Sequence, residues 1–183
     1  MKPTLYFLRS SEQKIVTDML HYALRLDEVN KSLSDIPKLA IYEEFYGFTS
    51  KDLGLYALVD NHLAGAVWIR RLNSDHASNG YIDDRTPVLN IAVIPEFRGQ
   101  GIGSMMIEQL FLESGALYDK LSVSIINDLP EIKFFERHGF VFVEGTMKKS
   151  PVDGSDVRVM VKKLLKGEVK RPTDGYDPRR WMD

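Results

Sequence analysis

The stretch from Val88 to Ser114, VLNIAVIPEFRGQGIGSMMIEQLFLES, restricts what this chain can fold into more than any other. Its first part, Val88 to Ile94, is apolar on both alternating faces except at Asn90, the pattern of a central strand covered on both sides. Ile102, Met106 and Leu110 then recur at helical spacing, with Gly115 placed to end the helix. Between strand and helix lies a turn containing Arg98, Gly99, Gln100, Gly101 and Gly103. Glycines let a backbone aim several N–H groups into one concavity, and the start of a helix adds about half a positive charge. Arg98 contributes a full charge and a fork of donors. A turn of this kind favours an anion, and a pyrophosphate is its natural ligand.

The rest of the chain supplies a sheet around this unit. Leu5 to Arg9 reads as a strand, and the serines after it cap a helix over Glu12 to Arg25. A second helix is expected from Asp35 and Pro37 through Ile41, Tyr42 and Phe45, ending at Gly47. The apolar runs GLYALVD and HLAGAVWIRR, separated by Asp60 and Asn61, read as a hairpin, and residues 72–85 as loop. Leu121 to Ile126 reads as a strand, Pro130 opens a helix over IKFFERH, and GFVFVEGTM pairs with SDVRVMVKK through a turn at Pro151 to Gly154. Strands that alternate with helices in one part and form hairpins in another predict an α/β (α+β) arrangement, a mixed sheet flanked by helices. Residues 1–166 are expected to form one domain and 167–183, rich in charge, Pro and Gly, a C-terminal extension with Tyr176 and Trp181 as anchors.

Composition removes several functions. Lys+Arg of 24 against Asp+Glu of 26 gives a net charge of −2, so no basic field attracts nucleic acid. The absence of cysteine excludes thiolate nucleophiles, thiolate metal sites and disulfides, and His21, His62, His76 and His138 lack metal-ligand spacing, so no metal is expected. No window approaches the ~20 apolar residues of a membrane span, and the N-terminus lacks the pattern of a secretory leader. The expectation is a cytoplasmic protein without nucleic acid or membrane partners.

Two familiar phosphate loops fail on residue identity. A P-loop needs lysine after its last glycine, where Gly103 is followed by Ser104 and Met105, and a dinucleotide fingerprint needs a third glycine where Ser104 stands. The pattern Arg98, Gly101, Gly103 instead resembles motif A of the GNAT-type N-acetyltransferases. The lead-in LNIAVIPEF is similar to that family's strand ending in Val-x-Pro-x-aromatic, and Asn127 with FFERHGF resembles its motif B. The likeness spans about residues 53–147; YEEFYGFTSKDLG and GAVWIRR look like elements of a bacterial subgroup of unknown substrate.

The resemblance implies a mostly antiparallel sheet with a splayed parallel strand pair at its centre, and acetyl-CoA as co-substrate. The pantetheine would pair with the strand end at Ile91, Ala92 and Val93, and the pyrophosphate would meet Arg98, Gly99, Gln100, Gly101, Ile102, Gly103 and Ser104. Asn127 and Phe135 occupy the motif B positions of the cofactor site. Catalysis in the family is direct attack of an amine on the thioester in a ternary complex, and a homodimer would be unsurprising. An amine resembling lysine, of pKa ~10.4, must lose a proton first, for which Glu44 on the expected second helix is the candidate base. Asn90 is a candidate for orienting the acceptor, its alternative being a buried hydrogen-bonded amide. Trp68 and Arg70 share a strand face and are candidates for the acceptor pocket, or for core packing and a surface charge respectively.

The clearest departure is Phe135, which stands where the family usually has the tyrosine that protonates the departing thiolate. Motif B is also one residue longer than usual, so Asp128 competes with Asn127. Water, Ser124, Tyr81 or Tyr118 could replace the acid; otherwise the chain is a non-catalytic acyl-CoA-binding or sensing module.

Overall fold

The computed structural model describes residues 2–49, 52–76, 79–126 and 129–165. Eleven regular elements follow one another: β1 (Thr4–Phe7), α1 (Gln13–Ala23), β2 (Leu53–Val59), β3 (His62–Arg70), β4 (Val88–Val93), α2 (Ile102–Ser114), β5 (Lys120–Ile126), α3 (Glu131–Arg137), β6 (Val141–Phe142), β7 (Lys148–Lys149) and β8 (Asp156–Lys163). They build an eight-stranded sheet in the order β1-β2-β3-β4-β5-β8-β6, with β7 also on β8. Every recorded pairing is antiparallel except β4 with β5, which are parallel. The mixed, mostly antiparallel sheet expected from the sequence is therefore present.

Asp60 and Asn61 turn the β2–β3 hairpin, both in the left-handed region at φ 51° and 63°, which these residue types tolerate better than most. Alternation along β3 and β4 divides the core between the two faces of the sheet. Val67, Ile69 and Leu89 pack with Ile102, Met106, Ile107 and Leu110 of α2 on one face. Ala66, Trp68, Val88 and Ala92 pack with Val16, Met19 and Leu20 of α1 on the other.

The second α-helix expected between Asp35 and Phe45 does not form. The segment makes 3₁₀ turns at Leu33–Asp35 and Pro37–Tyr42, and Phe45 sits at φ 55°. Side chains from elsewhere take the backbone groups that an α-helix would pair. Arg70 Nη1 donates to Ile41 O (3.0 Å), Trp68 Nε1 to Tyr42 O (2.9 Å) and Gln13 Nε2 to Glu43 O (2.6 Å). The Tyr46 N–H donates to Gln13 Oε1 (3.0 Å) and the Gly47 N–H to Asp52 Oδ2 (2.9 Å). Long-range partners thus satisfy this backbone, and helical hydrogen bonds are not needed to do so.

The expected strand over GFVFVEGTM is likewise interrupted, because Gly145 adopts φ 72° and Thr146 Oγ1 accepts the Val159 N–H (3.1 Å) in place of a ladder carbonyl. The extension from residue 167 lies outside the described residues. No helix among the described residues is long and apolar enough to cross a membrane.

Candidate functional site

The β4–β5 pair is the architectural source of the site. Its only recorded register pair is Val88 with Ser122, supported by the Ser122 N–H donating to Pro87 O (3.0 Å). Beyond that single bridge the two strands run on without pairing, so their C-terminal halves leave a slot through the sheet. Two residues past the bridge on the same face stand Asn90 on β4 and Ser124 on β5. A cavity of about 710 Å³ opens through this slot, within the size range of sites for small molecules and cofactors.

One side of the cavity is the glycine turn. Gly99 and Gly101 have φ of 76° and 79°, and a Cβ on either would meet nothing within 4 Å, so the backbone conformation rather than space calls for glycine there. Gly101 is the N-cap of α2, which leaves the first N–H groups of that helix without helical acceptors and facing outward. Arg98 is held at the rim by donating from Nε to Val93 O (2.9 Å). Ile91, Ala92, Val93, Arg98, Gly99, Gly101, Ile102, Gly103 and Ser104 all line the cavity. Gln100 does not; it is exposed, and its amide reaches Glu96 O at 3.5 Å. Phe134 and Phe135 of α3 close this side, Phe135 being 6% exposed and edge-on to both Phe134 and Phe140.

The opposite side is built from α1, the 3₁₀ segment and the β7–β8 connection, through Tyr22, Arg25, Leu39, Tyr42 and Val152. Arg25 bridges two carboxylates, with Nε to Glu28 Oε2 at 2.6 Å and Nη1 to Glu131 Oε1 at 2.8 Å. Glu28 and Glu131 are the carboxylates among the described cavity-lining residues. Asn90 lies between the two sides, 9% exposed, and its Nδ2 has no hydrogen-bond partner among the described residues. A buried amide without a partner costs about 1–3 kcal/mol, and such groups are expected where a ligand completes the bonding.

Several expected site residues sit elsewhere. Glu44 is exposed and off the cavity lining, because the helix that was to carry it is replaced by 3₁₀ turns. Arg70 is committed to Asp52, with Nε to Oδ1 at 3.0 Å and Nη2 to Oδ2 at 3.3 Å, and to Ile41 O. It forms a part-buried ion pair away from the cavity lining. Trp68 is fully buried core. Among the acid substitutes, Ser124 lines the cavity, whereas Tyr81 and Tyr118 do not. Tyr81 donates to Asp84, and that hydrogen bond first, then burial, pushes it up to about 12. Burial raises Tyr118. Asn127 and Asp128 lie outside the described residues. Sequence reasoning missed Arg25, Glu28 and Glu131, whose only signal was charge near two expected helix ends.

The family model for the acetyltransferase (GNAT) domain matches residues 51–142, half of the chain. No curated protein matches the sequence. Among solved structures, an acetyltransferase of the GNAT family from Streptococcus pneumoniae is similar with a TM-score of 0.66 at 16% identity, covering 90% of this chain and 100% of its own. The Salmonella typhimurium protein yncA, solved with its cofactor acetyl-CoA, is similar with a TM-score of 0.66 at 15% identity over 93% of this chain and 99% of its own. Spermidine/spermine N-acetyltransferase SpeG of Vibrio cholerae has a TM-score of 0.57 at 18% identity, covering 89% of this chain and 93% of its own. At such identities the structural likeness carries the fold alone.

Proposed function

The chain belongs to the GNAT family of acetyl-CoA-dependent acetyltransferases, and on that premise we propose that its acceptor is a primary amine that attacks the thioester directly in a ternary complex. The observation that carries this reading is the slot between β4 and β5, with a glycine turn on one side and Asn90, whose buried Nδ2 has no partner among the described residues, in its lining. The residues present fit such a co-substrate. The unpaired edge of β4 at Ile91 to Val93 offers backbone groups for an amide-bearing arm, and the N–H groups from Gly99 to Ser104 with Arg98 suit a pyrophosphate. When bound, the co-substrate supplies an acetyl thioester.

The chain's own groups then divide the work. The Asn90 side-chain amide, in the cavity lining, orients the acceptor at the slot. An amine of pKa ~10.4 arrives protonated at neutral pH, so a carboxylate must take its proton, directly or through water. That role passes from Glu44 to Glu28 or Glu131, which line the acceptor side while Arg25 holds them in place. On the other strand Ser124 offers a hydroxyl where Phe135 has none. A thiol of pKa ~8.5 is a tolerable leaving group, so a weak acid or water suffices for a slower enzyme.

Calorimetric titration with acetyl-CoA beside Arg98→Ala, followed by thiol release over a panel of amines, tests this reading. Arg98→Ala is expected to weaken binding by about tenfold with the fold intact, one charge-assisted contact being worth about 1.4 kcal/mol. Binding without turnover on any amine would leave a non-catalytic acyl-CoA-binding or sensing module, motivated by Phe135. No binding at millimolar ligand would remove the cofactor assignment.

A further inference from the structure

A hydrogen-bonded chain of three side chains runs into the pyrophosphate side of the cavity. Ser104 Oγ lies 3.0 Å from His138 Nε2, and His138 Nδ1 lies 2.5 Å from Glu108 Oε1. Its construction is local on both helices. Ser104 and Glu108 are one turn apart on α2, and Phe134 and His138 one turn apart at the end of α3. The Phe134 ring lies 3.5 Å from where a Cβ on Gly103 would stand, and it packs on the imidazole at a centroid distance of 4.8 Å. α3 thus packs against the start of α2 at ordinary contact distance, which brings His138 within reach of Ser104. The imidazole is enclosed, at 11% exposure, while Glu108 remains 59% exposed.

The three residue types resemble a nucleophile, base and orienting acid, but Ser104 occupies the third position of α2 in the glycine turn, remote in sequence from the Asn90–Ser124 slot. We propose instead that Glu108, His138 and Ser104 form a positioning chain that sets the direction of the Ser104 hydroxyl, and that binding of the cofactor pyrophosphate is thereby coupled to protonation of His138. This rests on the acetyl-CoA reading above.

The coupling follows from donor and acceptor inventory. A carboxylate can only accept, so Nδ1 carries a proton towards Glu108 in either charge state. In the neutral imidazole Nε2 is an acceptor, it takes the Ser104 hydrogen, and the serine turns lone pairs towards the cavity. In the imidazolium Nε2 donates to Ser104 Oγ, which frees the hydroxyl hydrogen for a phosphate oxygen. An anion at the turn favours the second arrangement. Other charged groups face the imidazole more weakly. Lys162 of β8 brings Nζ against Gly139, within 2.5 Å of where its Cβ would be, and Glu136 and Arg137 flank His138 on its own segment. Arg98 lines the same cavity as Ser104, with its Nε on Val93 O. None of these is in recorded hydrogen-bond contact with the ring among the described residues, so Glu108 sets its tautomer.

The sign follows from the donor inventory: the arrangement in which Nε2 donates to Ser104 binds the anion better, so affinity is expected to fall as pH rises. Titration of the 3′-phosphate of the co-substrate, near pH 6, acts in the opposite direction, and 3′-dephospho-acetyl-CoA removes it. Acetyl-CoA and its 3′-dephospho form are titrated calorimetrically between about pH 6 and about pH 8.5, in buffers of different ionisation heat. The wild type is expected to weaken by up to about tenfold across that range, the worth of one charge-assisted hydrogen bond, and to take up a fraction of a proton on binding. Ser104→Ala is expected to bind more weakly at acid pH and to lose the slope, and His138→Gln to be flat. Glu108→Gln, altering an exposed carboxylate, keeps the fold and is expected to weaken the pH dependence, because Nδ1 loses its carboxylate acceptor. A Ser104→Ala slope equal to that of the wild type, or binding without proton uptake, overturns the proposal. Absence of binding at every pH overturns the acetyl-CoA reading itself.

Discussion

Asn90→Leu is expected to make the protein more stable and less active. The side chain is 9% exposed, its Nδ2 has no partner among the described residues, and it stands opposite the buried Trp68 on β3. Leucine shares the branched outline and heavy-atom count of asparagine with bulkier methyl ends, so the substitution deletes an unpaired donor without opening a cavity. An unsatisfied buried donor costs about 1–3 kcal/mol; with some packing mismatch set against it, the net gain should be about 1 kcal/mol. For a chain of this length that corresponds to a rise in Tm of about 2–4 °C, read by circular dichroism. If Nδ2 orients the acceptor, kcat/KM in a thiol-release assay should fall by about 10–100-fold while the affinity for acetyl-CoA is kept. Stability and activity moving in opposite directions is the signature of a group left unpaired for its substrate. A lower Tm together with unchanged kcat/KM would refute the reasoning, because Asn90 would then be an ordinary structural amide.

Other perturbations follow from the same geometry. Asp52→Ala strands the Arg70 guanidinium, whose side chain is 14% exposed, and should lower stability by about 3 kcal/mol in urea unfolding. Adding Arg70→Met should restore part of that loss, since the Ile41 carbonyl and the Gly47 N–H still lose their partners. Gly65→Ala places a Cβ 2.6 Å from Ala92 O, forcing β3 away from the strand that lines the slot. A loss of about 1–3 kcal/mol and weaker acetyl-CoA binding are expected, measured by denaturant midpoint and calorimetry. Phe135→Tyr supplies the missing hydroxyl at the cavity wall and should raise kcat by about tenfold. An unchanged kcat would mean that departure of the thiol does not limit the rate.

The features legible in the sequence are those whose causes are local. Val88 to Ser114 carries strand, glycine turn and helix within one continuous segment, and left-handed φ at Gly99 and Gly101 is a demand that only residue identity can meet. The Asp60–Asn61 hairpin is legible for the same reason. The segment from Asp35 to Phe45 was not, since its helical pattern yields to donors from Gln13, Trp68 and Arg70, residues distant in sequence. Glu44 and Arg70 changed roles with it, one turned to solvent and the other locked onto Asp52. Periodicity says which face a residue takes but not which partner meets it there. The sequence alone therefore determined the family and the strand, glycine turn and helix of Val88 to Ser114. Only the tertiary structure decided that β4 and β5 part after a single bridge, that Asn90 is left unpaired between them and that His138 reaches Ser104. Each of those depends on distances between segments that packing sets and local preference does not encode.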